Sequence, residues 1–176
     1  MGLTADRLSD YVRSDVDGLL GTDILNEFDL LMDIPQSRVC VSTANLDCEG
    51  DRVPLSFVMT VPTLTAVIDA TPTTMFFDTG AQLSYFQGNS LSRYPAEGSM
   101  TDFYPGFGPF STDTFRTPIR LGCTQQNLRC GRLPTVLGMT LMLAGTEGIV
   151  GNELVSGRRV GYFPRRQLLV LGESSN

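Results

Sequence analysis

The sequence predicts an all-β fold with only short helices. Three observations point there. Charged residues make up 18% of the 176-residue chain while 18 glycines and 10 prolines interrupt it, a balance that favours strands and turns over long helices. The apolar runs are short and bounded by Gly or Pro, as buried strands are. One such unit occurs twice: Gly18-Leu19-Leu20-Gly21-Thr22-Asp23-Ile24-Leu25 lines up with Gly148-Ile149-Val150-Gly151-Asn152-Glu153-Leu154-Val155 at an offset of 130 (148 − 18).

Each copy reads as a Gly-bounded apolar strand, a short helix after the second glycine, a proline turn and a closing strand. The turn and closing strand are Asp33-Ile34-Pro35-Gln36-Ser37-Arg38-Val39-Cys40-Val41 in the first copy and Tyr162-Phe163-Pro164-Arg165-Arg166-Gln167-Leu168-Leu169-Val170 in the second. The prolines lie 129 apart (164 − 35), so one residue is expected to be lost between the copies. Gly-aliphatic-aliphatic-Gly alone is common by chance. Continuation through a proline turn into a second apolar run makes chance the weaker account.

Between the copies, Met75-Phe76-Phe77-Asp78-Thr79-Gly80-Ala81-Gln82-Leu83-Ser84 carries the clearest chemistry: an apolar strand that delivers an aspartate into a Thr-Gly turn. Gly80 permits close backbone approach and Thr79 can brace the turn by hydrogen bonding. A bare Asp-Thr-Gly is most often an ordinary strand-to-turn aspartate. The second glycine unit, beginning 70 residues downstream (148 − 78), shifts that balance.

These residues resemble the retropepsin-like family of aspartic proteases. Members are similar in having an apolar strand into Asp-Thr-Gly-Ala, here Asp78, Thr79, Gly80 and Ala81, then a Gly-rich flap, then aliphatic-aliphatic-Gly and a short helix. The resemblance spans residues 53–172 as a protease lobe. It implies leading strands from Val53 to Val67, a substrate-binding flap at Tyr104-Pro105-Gly106-Phe107-Gly108-Pro109-Phe110, and a structural glycine at Gly151 beside the catalytic turn. Residues 44–52 are expected as a linker, and residues 1–43 as the tail of another lobe.

The activity implied is peptide-bond hydrolysis by two aspartates that share one proton and activate a water. No cofactor or metal is implied. Composition agrees with carboxylate chemistry. The chain has no histidine, so a Ser-His-Asp or Cys-His couple and a His-ligated zinc are excluded, and without lysine so is Schiff-base chemistry. Thirteen basic residues against 19 acidic ones give a net charge of −6, which argues against nucleic acid as a partner.

Only one such aspartate is present. Shifting Asp78 back by 130 places its counterpart at −52, upstream of Met1. Asp23, Asp33 and Asp69 read as solvated or turn residues. A homodimer in which each chain contributes Asp78, a two-lobed protease of which this chain is the carboxyl-terminal part, and a catalytically incomplete peptide-binding or dimerisation module all remain open.

The remaining features are weaker. Cys40 with Cys48 and Cys123 with Cys130 suit either two loop-closing disulfides or four reduced thiols, and the latter couple makes a poor zinc site. Arg158-Arg159 and Arg165-Arg166 read as a solvated face. Phe103, Tyr104, Phe107 and Phe110 fit half-buried hairpin aromatics or the lining of a substrate groove. No run is long enough to cross a bilayer, so no membrane partner is expected. The amino terminus has no apolar core of a signal peptide, while the acidic pI near 4.5 and the close cysteine couples point towards an extracytoplasmic place.

Overall fold

The computed structural model describes residues 4–86, 89–104 and 107–174. It is mostly β, as expected. Thirteen strands are described: β1 (Asp29–Asp33), β2 (Arg38–Ser42), β3 (Asp51–Pro54), β4 (Ser56–Val58), β5 (Val61–Ile68), β6 (Thr71–Phe77), β7 (Ser84–Phe86), β8 (Ala96–Tyr104), β9 (Gly108–Leu121), β10 (Thr124–Arg132), β11 (Gly148–Val150), β12 (Arg158–Phe163) and β13 (Leu168–Ser174). They form a five-stranded sheet ordered β2-β1-β12-β13-β3 and an eight-stranded sheet ordered β4-β5-β6-β11-β7-β10-β9-β8. A further pairing of Val67 with Arg120 ties β5 to β9. Three α-helices accompany the sheets: α1 (Ala5–Val12), α2 (Thr22–Leu25) and α3 (Thr135–Leu143). None among the described residues is long and apolar enough to cross a membrane.

The two-residue period of a strand explains how one sheet can serve two cores. Along β6, Met75 and Phe77 face the main core with Leu30, Val53, Leu64, Val160, Leu169 and Leu171, contributed by both sheets. Phe76 points the other way, into a smaller cluster of Leu83, Tyr85, Leu133, Leu141 and Ile149. Strand β11 repeats the alternation in register, with Val150 beside Phe77 and Ile149 beside Phe76.

The repeat is longer than its residues indicate, but the apolar strand expected at residues 18–21 does not form, because no described strand lies alongside it as β6 and β7 lie alongside β11. Helix α2 spans Thr22–Leu25, and a 3-10 turn spans Asn152–Val155, 130 residues on. The helix ahead of each glycine unit obeys the same offset, α1 being capped at Thr4 and α3 at Pro134. The expected loss of one residue at the proline turn does not occur. Asp33 pairs with Arg38 and Phe163 with Leu168, so both turns contain four residues, with Pro35 second in one and Pro164 first in the other. Ser37 and Gln167 close these turns with the same φ of 51°. Each donates its N–H to the turn's first carbonyl, Ile34 at 3.0 Å and Pro164 at 2.9 Å. Proline's fixed φ suits either early position, so the turn geometry is shared and the proline's place is not.

Residues 29–42 are built into the same five-stranded sheet as the carboxyl-terminal strands through the pairing of β1 with β12. Asp29 is fully buried there. Its carboxylate accepts from the Leu46 N–H at 2.9 Å and pairs with Arg165 at 3.0 Å and Arg166 at 2.5 Å. Arg158 is buried, and Arg166 also lies over the Phe163 ring at 4.1 Å. Arg159 and Arg165 are exposed, as expected, whereas Arg158 is buried and Arg166 half-buried, the latter because Asp29 supplies the acid that holds its guanidinium against Phe163. All four cysteine thiols are free. Burial pushes the Cys130 thiol up to about 12, which marks an inert core residue.

Candidate active site

Strand β6 ends at Phe77 and places Asp78 at the mouth of a turn. The turn is held by backbone. Asp78 N–H donates to the Val150 carbonyl at 3.0 Å, extending the parallel β6–β11 ladder by one residue. Ala81 N–H donates to the Asp78 carbonyl at 3.2 Å, and the Ala81 carbonyl accepts from Asn152 N–H at 2.8 Å. The Asp78 carboxylate accepts from Gly80 N–H at 2.8 Å. Asp78, Thr79 and Gly80 are exposed, while Ala81 is half-buried.

Strand β11 lies between β6, to which it is parallel, and β7, to which it is antiparallel. This insertion locks the glycine unit against the turn. Gly151 N–H donates to the Ser84 hydroxyl at 3.0 Å. A Cβ on Gly151 would lie 2.4 Å from the Leu83 carbonyl oxygen and 2.7 Å from that of Ala81, and one on Gly148 would lie 2.2 Å from that of Tyr85. Only glycine allows the backbones to come this close. Gly151 and the Asp78 turn are thus brought together. Gly80 and Ala81 brace the turn as expected, Ser84 does so without having been assigned a role from sequence, and the Thr79 side chain makes no hydrogen bond among the described residues.

The residues expected in a flap sit at the end of the β8–β9 hairpin, where Tyr104 pairs with Gly108 and Phe107 N–H donates to the Tyr104 carbonyl at 3.0 Å. Gly106 and Pro105 lie outside the described residues. Gly108 has φ +104°, and Tyr104 and Phe107 are exposed. Phe107 meets Phe110 edge-on at 6.3 Å between centroids, and Phe110 tilts over Tyr85 at 6.0 Å. Phe103 stacks on Tyr11 of α1 at 4.6 Å.

The hairpin is tied to β7 by the Tyr85 hydroxyl, which donates to Asp102. Burial, then the bond to this carboxylate, pushes the phenol far above its ordinary value, so Tyr85 stays a neutral donor. It stands on β7 one residue after Ser84, and its role was missed because nothing in the sequence links Tyr85 to Asp102. No group of three or more metal-ligating side chains occurs among the described residues. Neither a protein-family model nor a curated protein matches this chain.

Proposed function

We propose that the chain is one aspartate-bearing lobe of a retropepsin-like aspartic endopeptidase. The observation that carries the reading is the insertion of the β11 glycine unit between β6 and β7, with the Asp78 N–H bonded to the Val150 carbonyl. It holds an exposed carboxylate at the end of a buried strand, presented on rigid backbone as a reacting group needs to be. The β8–β9 hairpin beside it offers a backbone edge and aromatic side chains to an extended peptide.

Asp78 supplies half of the chemistry. Opposite a second carboxylate it would share one proton, because two like charges cannot both ionise cheaply at close range. The pair draws a proton from a water and donates one to the peptide carbonyl oxygen as the hydroxyl adds to the carbon; it then takes a proton from a hydroxyl of the tetrahedral species and gives one to the nitrogen, so the C–N bond breaks and acid and amine leave. The two carboxylates titrate jointly, and no separate role belongs to Asp78. The second aspartate comes from another lobe or another chain.

The test is cleavage of an unstructured protein at acidic and neutral pH, with the chain alone over a range of concentrations and with a second aspartate-bearing half supplied. Asp78→Asn should lower the rate by at least about a thousandfold. If the substituted protein cuts equally well, the assignment of Asp78 is wrong. Peptide binding without any cleavage, unchanged by Asp78→Asn, would identify the binding module instead.

A further inference from the structure

We infer that residues 4–42 are a seat for a second front half, a polypeptide with the elements of residues 44–133 including its own strand-to-aspartate turn. This half, rather than a second copy of the chain, brings the second aspartate. The chemistry it is assigned rests on the aspartic-protease reading; the seat rests on the geometry of the repeat alone.

Strand β1 lies antiparallel to β12 with Leu31 opposite Gly161, its own counterpart at the 130-residue offset. The flanking pairs Leu30 with Tyr162 and Met32 with Val160 are one pair and its exchange. A local two-fold axis therefore passes between Leu31 and Gly161. The axis maps β1 and β2 onto β12 and β13, but the sheet stops short on one side. Strand β13 has β3 on its outer edge, whereas β2 is an edge strand with β1 as its one neighbour among the described residues.

The burial of equivalent residues shows what is missing. Leu19 and Leu20 are 64% and 68% exposed, whereas Ile149 and Val150, enclosed by β6 and β7, are 5% and 0% exposed. Val39 and Val41 on β2 are 61% and 53% exposed, against 0% and 2% for Leu169 and Leu171 on β13. Ile24 is exposed and Leu154 buried, and Cys40 is exposed where Val170 is buried. Apolar residues exposed in one copy and buried in the other, on both faces of β2 and along residues 19–24, mark surface that the second copy encloses and the first leaves uncovered.

The glycines agree independently. A Cβ at Gly148 or Gly151 collides with backbone, yet one at Gly18 would meet nothing within 4 Å and one at Gly21 only the flexible Asp23 side chain. Neither Gly18 nor Gly21 has a positive φ. The chain's own structure gives these glycines no purpose. They acquire one when strands equivalent to β6 and β7 close on residues 18–20, which would carry the second aspartate turn to Gly21 as Asp78 is carried to Gly151. A second copy of this chain cannot fill the seat by the same axis, since its own front half already encloses its own glycine unit and its β12 already carries its own β1.

The test joins a copy of residues 44–133 directly to Thr4, which restores the order found across Leu133 and Pro134, and reads maleimide alkylation of Cys40 mapped by mass spectrometry. In the unfused chain Cys40 should react as a free thiol, and Gly18→Val should change neither that rate nor the melting temperature. In the fusion the rate should fall at least about tenfold, because reaction then waits for local opening. Gly18→Val in the fusion should restore it. A fusion whose Cys40 stays fully reactive overturns the proposal. So does an unfused chain that is already a dimer at low micromolar concentration, with Cys40 protected there and released by Val41→Glu, since the seat then belongs to a second copy. The protease reading is scored apart: Cys40 protection without Asp78-dependent cleavage keeps the seat and sinks the chemistry, and Asp78-dependent cleavage by a dimer of the unfused chain at the fusion's rate, with Cys40 still reactive in the fusion, does the reverse.

Discussion

Gly148 and Gly151 have no room for a side chain, and that crowding is what fixes the Asp78 turn. Gly148→Ala or Gly151→Ala forces a methyl into backbone oxygen and should cost about 3 kcal/mol, read from the urea midpoint. Gly18→Ala, in open space, should stay within about 0.5 kcal/mol. At Asp29, burial alone would raise the carboxyl, but the Leu46 N–H and the Arg165 and Arg166 guanidiniums outweigh it and hold it below its ordinary value. Asp29→Ala should cost on the order of 2–3 kcal/mol, since it strands the half-buried Arg166 and the Leu46 N–H and takes from the exposed Arg165 its carboxylate partner. The sign with pH follows from a folded-state value lower than the unfolded one. The contribution is whole above the unfolded carboxyl's range and is lost as pH falls through the folded value, so the difference between the natural chain and Asp29→Asn should shrink from pH 6 to pH 3 in paired melts. The motif at 78–81 could be read directly because short-range chain chemistry defines it. Asp29 could not, because its partners at 165 and 166 are brought to it only by the pairing of β1 with β12.

At the scale of elements, the strand pattern and both glycine-led turns were legible, since apolar period and Gly or Pro punctuation are local. Two helices were not. Thr135-Val136-Leu137-Gly138-Met139-Thr140-Leu141-Met142-Leu143 is apolar nearly all round, so it carries no helical stripe and reads equally well as a buried strand. Its counterpart α1 shares its place in the repeat but not its residues, which is why self-comparison stopped at Gly18. The β8–β9 hairpin, laddered to β10, is also tied to β7 through the Tyr85–Asp102 bond. Tyr85→Phe should leave Asp102 with the Phe103 N–H alone, lower stability by about 1–2 kcal/mol, and speed amide exchange along 96–104 more than along β6. Equal acceleration in both strands would show that the anchor serves the whole sheet and not the hairpin.

For the whole molecule, the decisive relation is the two-fold axis between Leu31 and Gly161. It makes 29–42 an integral part of one sheet with the carboxyl-terminal strands while leaving β2 open. Sedimentation of the natural chain should therefore return a monomer at low micromolar concentration. Raising concentration should favour association through β2, whose exposed Val39 and Val41 make it a liability of the kind edge strands carry. Val39→Lys with Val41→Glu should suppress that association and leave the melting temperature within a few degrees, because both side chains are already in water.

The sequence by itself determined the class of fold, the aspartate turn, the exclusion of histidine and lysine chemistry, and the existence of a repeat, because each is written in residue type and short spacing. Tertiary structure alone decided that the repeat keeps an offset of 130 without losing a residue, that it begins at a helix rather than at a glycine, and that its first copy is half enclosed. Those are matters of register and burial. A one-residue shift of proline leaves a hairpin's ladder unchanged, and whether Leu20 or Val150 is covered depends on strands far away in the chain.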